Sequence, residues 1–132
     1  MATAKSPKDV VRQYVDAFNR CDIDTLRTLF DPDAVIYGVL GSGGLDETIP
    51  LWRELHAAFG VVLMVEEIIA EGEQIAVRYT ERGRFVQPFR GTEPTGKMYE
   101  LVAMEWFVLR QNRIHLRWGA RDPASQARQI GL

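Results

Sequence analysis

The chain has 132 residues, enough for one domain with a sizeable buried core. Hydrophobic residues make up 46% and charged residues 26%, a globular balance that excludes a disordered polypeptide. The net charge of -2 carries no footprint for nucleic acid or an anionic membrane surface, and no apolar run approaches the roughly 18 residues of a membrane span.

The N-terminal MATAKSPKD has no apolar stretch of the kind that directs export. A lone cysteine, Cys21, makes no internal disulfide, so the reducing cytoplasm is the expected compartment. One Cys and two His, His56 and His115, give no zinc-ligand spacing, and neither a metal nor an organic cofactor is expected.

Ser6 caps a first helix, Pro7 stands where a first-turn proline is tolerated, and Val10, Val11, Tyr14, Val15 and Phe18 recur at helical spacing. A short second helix, capped by Asp22 or Asp24, carries Leu26, Leu29 and Phe30. It ends at Asp31-Pro32-Asp33, because the residue before a proline avoids helical angles. Ala34–Tyr37 reads as a short strand and Gly41–Gly44 as a flexible loop. No Lys-Ser/Thr follows that loop, so it is not a phosphate cradle. A third helix spans roughly Asp46 to Ala58, with Ile49, Trp52, Leu55, His56 and Phe59 on one side, and Pro50 demands a place in its first turn.

From Val61 the apolar period becomes two. Val61–Ala70, Gln74–Phe85, Lys97–Leu109 and Arg113–Ala120 read as four strands. Glu71-Gly72-Glu73 is a hairpin turn, and Gln87–Gly96 a longer connection. Arg110–Arg113 is a tight hairpin in which Asn112 can take positive φ. Asp122–Ile130 reads as a short helix. Helices first, then hairpin-connected strands, define a segregated α+β class in a single domain over residues 1–132.

If Gln111 and Asn112 form a two-residue turn, Arg110 pairs with Arg113, Glu105 falls opposite Trp118, and Leu101 opposite Asp122. Leu101, Ala103, Glu105, Phe107, Leu116, Trp118 and Asp122 then share one face. Apolar walls with a few polar groups are what a small-molecule pocket needs. A three-residue turn with a bulge would flip the pairing. Glu105 stands in a strand otherwise apolar on both faces, so it is either paired with an arginine such as Arg78 or Arg117, or desolvated in the pocket. Phe18, Tyr37 and Trp52 are candidate pocket walls that would look the same as core aromatics. Asp122-Pro123 is also a good helix start, with Asp as cap and Pro in the first position. On the other face of the long Lys97–Leu109 strand, Met98, Val102, Met104, Trp106 and Val108 lack the polar alternation of a solvated sheet. A homodimer through the sheet is expected, with Met104 and Trp106 in the interface.

The order of elements resembles the nuclear transport factor 2-like superfamily, and within it the SnoaL-like polyketide cyclases and the ketosteroid isomerases. The resemblance is carried by Val11-Arg-Gln-Tyr-Val-Asp-Ala-Phe-Asn19, Leu29-Phe-Asp-Pro-Asp-Ala-Val35, Ile69-Ala-Glu-Gly72, Pro94-Thr-Gly-Lys97 and Trp118-Gly-Ala-Arg-Asp122. It implies a cone: a curved antiparallel sheet wrapped around three N-terminal helices, enclosing a pocket for a small hydrophobic ligand, with cones pairing through their sheets. Glu105 matches the protonated aspartate of the isomerase oxyanion hole and Tyr14 its tyrosine donor. The isomerase base has no counterpart, because Tyr37-Gly38-Val39-Leu40 is followed by no carboxylate before Asp46.

Asp122 is similar in placement to the acid/base aspartate of the cyclases, which close a ring by an aldol step. The histidines that accompany it there are not matched, since His115 falls on the opposite strand face and His56 on the third helix. Arg78 and Arg121 resemble only part of the Asp–Arg–Asp constellation of limonene epoxide hydrolases. The resemblance thus implies a cofactor-free cyclase- or isomerase-like enzyme acting on a small hydrophobic carbonyl compound. Its catalytic residues would be Asp122, Glu105 and Tyr14, walled by Phe18, Tyr37, Trp52, Phe107 and Trp118. The alternative is a non-catalytic small-ligand-binding or scaffold protein of the same fold.

Overall fold

A computed structural model describes residues 5–132. Helix α1 (Pro7–Asn19) opens on a reciprocal cap: the Ser6 hydroxyl accepts from the Asp9 N–H and the Asp9 carboxylate from the Ser6 N–H, each at 3.2 Å. Asp22 caps α2 (Ile23–Leu29) by accepting from the Thr25 N–H at 3.2 Å.

Strand β1 (Phe30–Gly38) is longer than expected and contains Asp31-Pro32-Asp33. The extended angles that a pre-proline residue prefers end a helix, and they suit a strand equally well. Gly41–Gly43 is a short strand, β2, folded back on β1, where a flexible loop was expected.

In α3 (Leu45–Phe59), Pro50 lies in the second turn rather than the first. It deprives the Asp46 carbonyl of its N–H partner, but both residues are exposed, so water can serve that carbonyl. The remaining strands are β3 (Val62–Glu71), β4 (Gln74–Arg84), β5 (Met98–Arg110) and β6 (Arg113–Arg121), and helix α4 (Pro123–Ile130) closes the chain.

The six strands form one curved sheet in the order β2-β1-β6-β5-β4-β3. All neighbours run antiparallel except β1 and β6, which are parallel. The class is α+β, and the sheet makes a cone whose concave face packs on α1 and α3. Tyr14, Phe18, Phe30, Trp52 and Phe107 interlock there with ring centroids 5.2–6.3 Å apart. Among the described residues, no helix is long and apolar enough to cross a membrane.

The β5–β6 hairpin decides what faces the interior. Gln111 (φ 50) and Asn112 (φ 65) form the two-residue turn, and Arg110 pairs with Arg113 as expected. Leu109 then pairs with Ile114, whereas Val108 pairs with Leu116, so His115 is an extra, bulged residue. Everything beyond it is shifted by one. Trp118 lies opposite Trp106 and Gly119 opposite Glu105, which corrects the expected Glu105–Trp118 and Leu101–Asp122 pairs.

Candidate functional site

Between α1, α3 and the concave sheet lies a cavity of about 330 Å³. That is near the lower end of ligand pockets, roughly 300–1,000 Å³. The β1–β2 turn borders it with Val39 and Leu40, both about half exposed, and Phe18, Trp52 and Leu55 supply apolar wall.

Its polar side is built by strand alternation. Along β5 the inward residues are Leu101, Ala103, Glu105 and Phe107, and along β4 they are Val77, Tyr79 and Glu81. After the bulge, β6 turns Arg117, Gly119 and Arg121 to the same side.

Tyr14 reaches this wall from the buried stripe of α1. Its hydroxyl donates to Glu105 Oε2 at 3.0 Å, and Arg117 Nε stands 2.5 Å from the same oxygen. Tyr14 and Glu105 are buried, and the Arg117 side chain is 12% exposed. Burial, then the Glu105 charge, pushes the Tyr14 hydroxyl well above the usual phenol range. Burial works against the Arg117 charge, but Glu105 outweighs it and drives the guanidinium further up. Arg117 Nη1 also donates to the Tyr37 carbonyl at 3.0 Å. Gly119 makes this lie of the guanidinium feasible, because a Cβ there would sit 2.8 Å from Arg117 Nη1.

Glu105 is therefore ion-paired with Arg117, the first of the two readings left open, and it accepts from Tyr14 rather than donating beside it. One oxygen, Oε1, is buried without a partner.

A second buried carboxylate, Glu81, is fully engaged. Arg121 reaches it through Nε at 3.0 Å and Nη2 at 2.6 Å, and the Tyr99 hydroxyl donates at 2.6 Å. Arg121 Nη2 also donates to Gln126 of α4 at 2.9 Å, so this cluster clamps the C-terminal helix to the sheet.

The other expected site residues divide. Tyr14, Phe18, Trp52 and Glu105 line the cavity. Phe107 is buried behind Tyr14, edge to face at 5.2 Å, and supports the wall without bordering the cavity. Tyr37 and Trp118 are not in the cavity. The bulge turns Trp118 outward, where its ring stacks on Tyr37 at 5.3 Å with 5° between planes.

Asp122 does not share the Glu105 face either. Exposed at the start of α4, its carboxylate accepts from the Ser125 N–H at 3.0 Å, the helix-cap geometry. His56 packs on the Phe18 ring at 4.6 Å, and burial lowers its pKa. Sequence reasoning passed over Tyr79 and Glu81, although the period-two run Ile75-Val77-Tyr79-Glu81 carries the signal. Arg117 was named only as one of two possible partners for Glu105, and the bulge hid which face it takes. Among the described residues, no three His, Cys, Asp or Glu side chains cluster as a metal site.

A SnoaL-like polyketide cyclase family model matches residues 8–130. Among solved structures, the chain is similar to IdmH, "a putative polyketide cyclase from Streptomyces antibioticus", with 27% identity and a TM-score of 0.87, covering 97% of this chain and 100% of that one. It is similar in fold to a "Putative SnoaL-like polyketide cyclase from Jannaschia Sp. CCS1" (19% identity, TM-score 0.86, covering 98% and 97% of the two chains). It is also similar in fold to AclR, "a putative hydroxylase from Streptomyces galilaeus" (23%, 0.84, covering 95% and 84%). No curated protein matches it. The match over nearly the whole length, on a cone whose cavity holds a buried Glu–Arg–Tyr cluster, places the chain in the SnoaL-like polyketide cyclase family.

Proposed function

We propose that this protein is a cyclase of the family's general kind that binds a small hydrophobic carbonyl compound in the cone and moves a proton with Glu105. The observation that carries this reading is the free Oε1 of a buried carboxylate whose other oxygen is held by Tyr14 and Arg117. A carboxylate fixed at one oxygen presents the other as an oriented base.

In the proposed step, Oε1 takes a proton from the carbon beside a ligand carbonyl, and the C–H electron pair moves onto the carbonyl oxygen as an enolate. The enolate carbon then bonds to a second carbonyl carbon of the same molecule. The proton held by Glu105 returns to the new alkoxide, so no outside reagent is consumed. Apolar walls at Phe18, Trp52 and Leu55 would exclude water and fold the chain of the ligand.

The test is ring closure of 2,6-heptanedione, followed by NMR. Acceleration over buffer is expected, with Glu105→Gln slower by about 10²–10⁴-fold. Binding without acceleration would favour a second reading, a ligand-binding member without chemistry. That reading is favoured by one observation: both strong donors, Tyr14 and Arg117, are committed to Glu105 rather than free for an oxyanion.

We further propose that two copies pair through the outer sheet face. Met98, Val102, Met104 and Trp106 are each about half exposed there, and the bulge adds Trp118 stacked on Tyr37. Cytoplasmic residence belongs to the same reading, since Cys21 is free and exposed.

A further inference from the structure

The rim of the cavity carries a cation that the buried wall does not use. Arg90 borders the cavity from the connection between β4 and β5, and its side chain is about half exposed. It stands in a two-residue turn, in which the Phe89 and Thr92 N–H groups each donate to the other's carbonyl at 3.0 Å. Arg90 (φ 49) and Gly91 (φ 82) both take positive φ, as a type I′ turn requires. Asn-Gly is the favoured pair for such a turn, so an arginine in the first place is held there at a cost in stability. Strain alone argues nothing, because Gln111 stands at φ 50 in the other hairpin. Among the described non-glycine residues at positive φ, only Arg90 borders the cavity.

The turn is fixed and the guanidinium is not. Phe89 packs edge to face on Phe59 at 5.2 Å, and the Val86 N–H donates to the Ala58 carbonyl at 2.8 Å. The Arg90 guanidinium carbon lies 5.3 Å from the centre of the Phe89 ring. Its carboxylate partner, Glu54 of α3, stays 3.6 Å from Nε with both side chains 52% exposed, so that pair is worth little and is easily exchanged.

The other charges lining the cavity are committed. Glu105 holds Arg117 and Glu81 holds Arg121. Glu47 folds back on the start of its own helix, where a Cβ at Gly44 would meet its Oε2 at 3.3 Å. Leu51 and Leu55, which flank Glu54 on α3, line the cavity as well, so the cation stands where apolar wall meets water.

We propose that Arg90 is a ligand-contacting residue and that the ligand carries a carboxylate at its outer end. The hydrophobic body enters the cone, and the carboxylate takes the Arg90 guanidinium in place of Glu54, in the two-pronged pairing that suits a planar anion. This rests on the reading of the cavity as a ligand site and adds which end of the ligand faces out and what it bears.

The probes are 6-oxo-6-phenylhexanoate and its primary amide, which keeps the shape and loses the charge. Binding to the whole chain is measured by calorimetry at low salt. The acid is expected to bind tighter than the amide by about threefold or more. Arg90→Asn should abolish that preference, leave the amide affinity within about twofold of wild type, and show a Tm no lower than wild type, since asparagine suits the turn better.

The inference is overturned if the acid fails to bind wild type, if its advantage over the amide is smaller than that, or if Arg90→Asn retains the preference. A Tm lowered by several degrees in Arg90→Asn would overturn it too, by showing that the arginine is kept for the turn itself. None of these readouts needs turnover. A protein that prefers the acid through Arg90 and closes no ring fails only the cyclase reading, and one that closes rings but treats acid and amide alike fails only this one.

Discussion

Tyr14 and Glu105, 91 residues apart in sequence, share one buried hydrogen bond of 3.0 Å that joins the first helix to the fifth strand. The bond crosses the core where the cavity begins, so stability and site geometry depend on the same atoms.

Removing either partner of Glu105 should cost stability by different amounts. Tyr14→Phe loses a bond to a charged acceptor, about 1.5–3 kcal/mol. Arg117→Met leaves a buried carboxylate uncompensated, about 3–5 kcal/mol. Urea unfolding of both variants checks the order, and a smaller loss for Arg117→Met would show that solvent reaches Glu105.

Acid should weaken the fold in two stages. Burial lowers the His56 pKa in the folded state below the ordinary 6.5, so the unfolded chain takes up this proton first. Its contribution is complete above about pH 6.5 and declines as pH falls below that value. His56→Leu should flatten the stability profile in that window. The second stage is lower. Asp31 is held below the usual carboxylate range chiefly by the Asp33 N–H, against the cost of burial, with help from Arg110. Its stabilisation is present above the unfolded value and is lost as pH falls through the folded one. Asp31→Asn should remove part of that steep acid limb in a denaturation series.

Asp122 gives a clean comparison. Asn caps nearly as well as Asp, so Asp122→Asn should unfold at the wild-type denaturant midpoint, while Asp122→Ala loses about 1 kcal/mol. Both should keep wild-type turnover in the ring-closure assay. A loss of about 10²–10⁴-fold in Asp122→Asn alone would return the acid/base role to this residue.

Pairing of two copies is tested by sedimentation. Wild type is expected at twice the 15.0 kDa chain mass, and Trp106→Asp as a folded monomer. A monomeric wild type at micromolar concentration would refute the interface.

The inward sets of β4 and β5 were legible because a period of two needs only local sequence, and Leu101, Ala103, Glu105 and Phe107 all point inward as alternation predicts. Trp118 was misread for a physical reason. The bulge at His115 has no compositional marker, and nothing near Arg117 distinguishes an inward from an outward arginine. The extent of β1 was also opaque, since its parallel pairing with β6 holds Phe30 and Val35–Tyr37 on either side of the unpaired Pro32 segment, and those partners lie far along the chain. Asp122 was legible as a cap from Asp-Pro alone, and its distance from Glu105 was not, because that depends on the same bulge.

His115 acts on β6 as a parity switch. A strand has two faces, so one added residue exchanges them for every position that follows, and a second exchange would restore them. Deleting His115 should therefore do more than any substitution in the hairpin. It would present Trp118 to the cavity and Arg117 to the outside, leaving Glu105 without its cation and the outer face with a charge amid its aromatics. A paired insertion would keep the assignment of faces and merely lengthen the strand. In chains of this design, length changes in the last hairpin conserve the site only in even steps.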